Sequence, residues 1–355
     1  MSTARVISTG SYLPGAPLSN SEIADLAGPL PEEVLESLET LQRHWLIDPE
    51  SGKHALSNSE MAAAAAQDAL ARAGITSTDV GVVVVSTASP EYHLPTVSSL
   101  VLEQLHIRNA ISADVRSGCA GFIQALLMAE SLLTNSTARY AVVVGSEAIS
   151  PLLFPLYRFG SQQVRIRDRI KVYTFGDGAG AVVLERTDDE TDGGLGGYAF
   201  QTVGGMTTPG MRIVGGSTDI PLHEQVERTP LIDLFVDVRQ AGRMIPPMLL
   251  DGLKHLLDAT NTLYNEPSMV VIPEGNAGYV TQELLERDEL PDYWLALKDR
   301  IYENLDVVGA TGSAAVPLAL HQAVVDGRLK PGETALLLAI ETSKWIYAGA
   351  RMKWR

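Results

Sequence analysis

Two periods divide the chain. Short, almost entirely apolar runs recur at 80–86, 110–115, 140–147, 268–273 and 334–341. Their length and β-branched content predict strands buried on both faces. Between them, 61–73, 122–133, 246–261 and 316–326 place apolar residues at helical spacing and leave polar residues for the opposite side. Buried strands alternating with helices predict an α/β protein whose sheets are covered by helices.

The order of elements repeats. The first half runs helix, strand, a small-residue turn into a helix, and a closing strand that ends on Glu147. The second half runs helix, strand, the turn Gly309-Ala310-Thr311-Gly312-Ser313-Ala314-Ala315 into a helix, and a closing strand that ends on Glu341. Two such halves facing each other form a five-layer α/β/α/β/α body with helix N-termini meeting near its centre. The division falls at 1–186 and 187–355. Residues 187–216, rich in Gly, Thr and Asp, predict loops or hairpins between the halves, and 20–53 predict a helical cap over a pocket.

Composition narrows the class. With 355 residues, 45% hydrophobic and 20% charged, the chain has ample core for one large domain or two ordinary ones. Its single cysteine excludes an intramolecular disulfide and fits a reducing compartment. No signal peptide and no membrane-spanning run is read, so a cytoplasmic location is expected. A net charge of −16 argues against nucleic acid and anionic membranes as partners. It also opposes an acidic carrier protein unless a basic patch offsets it. Arg165, Arg167, Arg169 and Lys171 form one such patch, for which a solvated loop is the ordinary reading.

The chemistry centres on Cys119, in Ser117-Gly118-Cys119-Ala120-Gly121-Phe122, where a strand gives way to a helix. A thiol in a helix's first turn meets unpaired N–H groups and the positive end of the macrodipole, which predicts a thiolate nucleophile. A buried structural cysteine is the competing reading. The run from Gly176 enters a strand, not a helix, so it is no dinucleotide fingerprint. Asp177 within it is read as structural. No histidine has a partner at metal-ligand spacing, so no metal is expected.

Asp114-Val115-Arg116-Ser117-Gly118-Cys119-Ala120-Gly121-Phe122, Phe175-Gly176-Asp177-Gly178-Ala179-Gly180 and Gly309-Ala310-Thr311-Gly312-Ser313 resemble the β-ketoacyl-acyl-carrier-protein synthase III branch of the thiolase superfamily. The resemblance covers nearly the whole chain. It implies a thiolase fold, a homodimer, acylation of Cys119 and no tightly bound cofactor. The acyl thioester of acyl carrier protein or coenzyme A would be the substrate. It also places His93 and Leu94 on a loop that reaches the partner's acyl pocket, which Leu94 and Phe122 would shape.

The departures matter as much. Where that family carries a histidine and an asparagine, which stabilise the enolate of a decarboxylating malonyl thioester, this chain has Glu274 and Ala310. Ionised glutamate and alanine donate no hydrogen bond. The family's glycine run near the C-terminus is replaced by Ile340-Glu341-Thr342-Ser343-Lys344-Trp345, and Trp45 lacks the surroundings of the family's coenzyme A-stacking tryptophan. Glu274 is read as a general base, with Thr311, Ser313, Asn276 and His93 as candidates for positioning or proton transfer. The expected function is a ketosynthase III-like acyltransferase or condensing enzyme of polyketide-type secondary metabolism. It passes the acyl group from Cys119 to an O, N or acidic C nucleophile of a small-molecule acceptor without decarboxylation. The alternatives are a non-catalytic partner subunit or a conventional decarboxylative enzyme.

Overall fold

The computed structural model describes residues 3–158, 164–188, 194–226, 233–274, 277–286 and 290–355. Strands β1 (Thr3–Tyr12), β2 (Val80–Ser86), β3 (Ile111–Val115), β4 (Tyr140–Glu147) and β5 (Gly178–Thr187) form one sheet in the order β1-β5-β4-β2-β3. A second sheet is built from β6 (Leu195–Thr202), β7 (Met269–Val271), β8 (Ile301–Tyr302), β9 (Thr334–Glu341) and β10 (Ile346–Lys353), in the order β6-β10-β9-β7-β8. In each sheet three strands are parallel, β4-β2-β3 and β9-β7-β8, and the other two pair antiparallel. The second sheet thus repeats the first, strand for strand.

Alternation along the strands builds the layers. Val82 and Val84 point to a central core, and Val83 and Val85 to an outer one under the helix Asn58–Ala73. Val271 and Leu337 face the centre, while Val270 and Leu338 face outward to the helix Val238–Ala259. Between the sheets lie the helices Gly121–Thr134 and Ala315–Val325. Each fully buried Val or Leu contributes about 1.5–3 kcal/mol, so this alternation is enough to set strand register. The five-layer α/β/α/β/α arrangement expected from the repeat is the observed one.

Three expectations need correction. Residues 187–216 are not only loops, since β6 forms an edge of the second sheet. Only Leu195 and Ala199 of that strand are buried, so its apolar signal is thin. The helix expected from Pro246 begins eight residues earlier, because Asp237 caps it by accepting from Gln240 N–H at 3.0 Å. The basic patch lies on the helix Ile166–Thr174, not in a solvated loop. There Asp168 pairs with Arg165 and Lys171, and the buried Lys171 Nζ donates to the Leu234 carbonyl at 2.7 Å. The cap region does contain helices, Asn20–Ala27 and Glu32–Leu38, joined to that helix through an apolar cluster around Ile23, Trp45, Leu153 and Val172.

Candidate active site

Cys119 sits in a short 3-10 turn, Gly118–Ala120, that links β3 to the helix Gly121–Thr134. Gly118 has φ +46°, and a Cβ there would lie 1.8 Å from Glu341 Oε2, so the turn closes only with glycine. Three glutamate carboxyls converge on this turn. Glu274 follows β7 and hydrogen-bonds the Cys119 thiol while accepting from Gly312 N–H at 2.8 Å. Glu341, the last residue of β9, accepts from Cys119 N–H at 2.5 Å and from Ser343 N–H at 2.6 Å. Glu147, the last residue of β4, accepts from Ala88 N–H at 2.9 Å, Ser313 N–H at 3.4 Å and the Ser89 hydroxyl at 2.5 Å.

This electrostatic setting reverses the expected thiolate. Burial pushes the Cys119 thiol well above its ordinary range, and Glu274, Glu341 and Glu147 add to the effect. The donors of the first turn do not offset this, because Cys119 N–H is already bonded to a carboxyl. The Cys119 side chain is held as a neutral thiol. Burial also raises the three carboxyls, Glu274 to about 7 and Glu147 and Glu341 upward. Glu274 is therefore poised to take a proton near neutral pH.

The thiol lies between two spaces. On one side is a cavity of about 290 Å³ with an apolar wall of Ile149, Leu152, Phe175, Met211 and Leu234. Glu147, Glu341 and Ser343 also line this cavity, together with Arg116 and Arg212. On the other side a small recess is lined by Glu274, Pro273 and Ala315. Glu274 therefore stands on the recess side of the thiol, while Glu341 and Glu147 line the cavity side.

The other predicted residues divide. Ser313 is brought to the site, but its buried hydroxyl donates to the Gly118 carbonyl at 2.8 Å and accepts from Ser86 at 3.1 Å, which holds the two halves together. Thr311 N–H donates to Glu274, and its buried hydroxyl has no hydrogen-bond partner among the described residues. Phe122 does not line the cavity: it is fully buried in the central core, because its place on the helix turns it towards the sheets. His93 does not reach the site of its own chain, since Nε2 bonds the Gly216 carbonyl at 3.0 Å, and Leu94 is 82% exposed. Asn276 lies outside the described residues. Asp177 is structural as expected, bonding Leu46, Ile149 and Ser150 N–H. Trp45 is buried, with Nε1 donating to the Phe175 carbonyl at 3.0 Å, so its ring is not offered to a ligand. Glu147 and Glu341 were missed as site residues. The available signal was a carboxylate ending a fully apolar strand in each half.

Comparison with known proteins defines the class. The profile for 3-oxoacyl-[acyl-carrier-protein (ACP)] synthase III matches residues 113–204, and that for its C-terminal domain matches 270–348. A beta-ketoacyl-[acyl-carrier-protein] synthase III of Novosphingobium aromaticivorans is 30% identical over 335 residues, covering 94% of this chain and 93% of that one. An acetoacetyl CoA synthase of a Streptomyces species, NphT7, is 29% identical over 338 residues, covering 94% and 93%. The solved structure of AbyA1, a tetronic acid condensing enzyme, aligns with a TM-score of 0.81 at 26% identity, covering 99% of this chain and 100% of that one. The chain belongs to the 3-oxoacyl-[acyl-carrier-protein] synthase III family, the thiolase-fold condensing enzymes.

Proposed function

We propose that this condensing enzyme forms an acyl-Cys119 thioester and passes the acyl group to an oxygen, nitrogen or acidic carbon nucleophile without decarboxylation. The observation that carries this reading is the Glu274 carboxyl hydrogen-bonded to the Cys119 thiol from behind. In the first half-reaction Glu274 takes the thiol proton as sulfur attacks the donor thioester, and the leaving thiol departs with that proton. In the second, the acceptor gives its proton to Glu274, its nucleophilic atom bonds the acyl carbon, and Cys119 leaves as a thiol.

Decarboxylation instead needs donors for an enolate oxygen. Ala310 supplies none from its side chain, and its N–H is bonded to the Thr174 carbonyl at 2.8 Å. Among the described residues, the N–H groups of Cys119, Gly312, Ser313, Ala88 and Ser343 already serve carboxyls. The likeness to a tetronic acid condensing enzyme supports a secondary pathway of polyketide type. The donor is an acyl carrier protein or coenzyme A thioester, with no tightly bound cofactor. The exposed Tyr92 and Leu94, turned away from their own chain's site, support a homodimer in which this loop meets the partner.

Intact-mass measurement with acyl thioester donors tests the reading. Acyl adducts are expected on the wild type and not on Cys119→Ala, and Glu274→Gln should slow their formation by about a hundredfold. Release of carbon dioxide from a malonyl thioester at a rate matching turnover would overturn it.

A further inference from the structure

The apolar wall of the cavity beside Cys119 comes from two parts of the chain. Ile149, Leu152 and Phe175 belong to the first half. There Ile149 and Ser150 N–H donate to the buried Asp177 carboxyl at 2.5 and 2.8 Å, and Phe175 ends the helix Ile166–Thr174. Met211 and Leu234 stand instead on two short strands, Met211–Val214 and Asp233–Val236. These pair antiparallel with each other and join neither large sheet. A lone strand pair is marginal by itself, so its fastenings decide where its side chains stand. At its foot Gly210 N–H donates to the Thr342 carbonyl at 3.1 Å, and Asp237 N–H to the Gly210 carbonyl at 2.7 Å. Farther along, Lys171 holds it.

Lys171 lies one turn before Phe175 on the helix Ile166–Thr174, and only 4% of it is exposed. Its Nζ donates to the Leu234 carbonyl at 2.7 Å and pairs with the Asp168 carboxylate at 2.8 Å. Asp168 pairs in turn with Arg165 at 2.9 Å. The Leu234 side chain is buried in the cluster that holds Ile149, Leu153 and Val172. Leu234 faces Ile213 across the strand pair, and alternation puts Met211 on the same face. One helix therefore sets wall residues of both parts, Phe175 through the chain and Leu234 through the ammonium.

We propose that Lys171 is a positioning residue: by holding Leu234 in the wall it sets the depth of the cavity, and so the longest aliphatic acyl group that Cys119 accepts. A buried ion pair is a poor source of stability, because desolvation offsets its attraction. What the charge adds is selection of one register. The ammonium is seated on the carbonyl of the wall residue itself, and a slip of one residue would strand it and turn Leu234 away from the cavity. Lys171 touches neither the substrate nor Cys119. Its effect passes through Leu234, and one methylene accommodated or refused by an apolar wall changes a rate about ten- to two-hundredfold.

This inference rests on acylation of Cys119, and the test separates the two. Rates of adduct formation are measured by rapid-quench intact mass with straight-chain acyl-coenzyme A donors from acetyl to dodecanoyl. The wild type is expected to show a cut-off, beyond which added methylenes lower the rate. Lys171→Met should raise the rate with the first donor beyond that cut-off at least about tenfold relative to acetyl. Leu234→Ala should do the same, and the two changes together should go no further than Leu234→Ala alone, because both act on one wall residue. If Lys171→Met fails to fold, Asp168→Asn with Lys171→Met, which buries no lone charge, carries the same expectation. A lysine that only stabilises the fold would instead lower the rate with every donor by one factor. That uniform fall, effects that add in the double variant, or a wild type without a cut-off would each overturn the positioning role and leave acylation standing. No adduct on the wild type from any donor would overturn acylation itself, and this inference with it.

Discussion

The two turn-to-helix junctions at the centre of the molecule have the same construction and different chemistry. Gly118-Cys119-Ala120 leads into one central helix and Gly312-Ser313-Ala314 into the other. Both glycines have positive φ, +46° and +54°. Each junction receives a glutamate from the end of the other half's central strand: Glu341 bonds Cys119 N–H, and Glu147 bonds Ser313 N–H. Cys119 and Ser313 therefore occupy equivalent positions. The thiol opens onto a cavity, while the hydroxyl is fully buried and committed to Gly118 and Ser86. The strand ends beside them differ too. After β2 come Thr87, Ala88 and Ser89, which hydrogen-bond Glu147, whereas after β7 comes Glu274, whose own carboxyl bonds the Cys119 thiol. A shared frame supplies helix, turn and carboxyl twice, and only the first junction adds an open cavity and a second carboxyl against its side chain.

Moving the thiol gives the largest expected effect. Ser313→Cys in a Cys119→Ala background should form no acyl adduct, at least about a thousandfold below the wild type, because the new sulfur lacks both cavity and base. Intact mass with the same donors checks this, and an adduct on residue 313 would show that the two junctions are chemically equivalent after all.

The base is the next point of difference. The Glu274 carboxyl moves from 4.5 to about 7 on folding. Its neutral form is favoured in the fold, so its contribution to stability is intact below pH 4.5 and is lost as pH rises through 7. The loss reaches about 3 kcal/mol above that range. Glu274→Gln should therefore melt higher than the wild type at pH 8.5, and the gap should close at pH 5. Equal gaps at both pH values in denaturant melts would show that Glu274 is not held neutral by the fold.

Much of this was legible beforehand, and the rest was hidden for identifiable reasons. Strands 80–86, 140–147 and 334–341 and the central helices follow from runs of Val, Leu and Ala that have no polar competitor. The repeat predicted that the second half would face Cys119, and Glu274 does contact it. The thiol's charge state was not legible, because the helix-end argument counts donors along one segment. What decides the titration is burial, with Glu274, Glu341 and Glu147, carboxyls brought from distant parts of the chain, adding to it. The resemblance put Phe122 at the acyl pocket, but the ring is packed into the central core of this chain and does not line its cavity. Glu147 and Glu341 read in the sequence only as strand ends, since only the crossing of the two halves brings a strand end to the Cys119 turn.

The smallest effect tests how tightly each glutamate is seated. A Cβ on Gly118 would fall 1.8 Å from Glu341 Oε2, whereas one on Gly312 would fall 3.0 Å from Glu147 Cγ. Both substitutions carry the left-handed backbone cost of about 1–2 kcal/mol. Gly118→Ala must also push the Glu341 carboxyl off Cys119 N–H, leaving a buried donor unpaired at about 1–3 kcal/mol more. Gly312→Ala asks Glu147 to give by a few tenths of an ångström only. Denaturant melts should therefore place Gly118→Ala about 2 kcal/mol below Gly312→Ala. Equal losses would mean that the Glu341 carboxyl shifts freely, and that the seat which distinguishes the first junction is looser than the geometry shows.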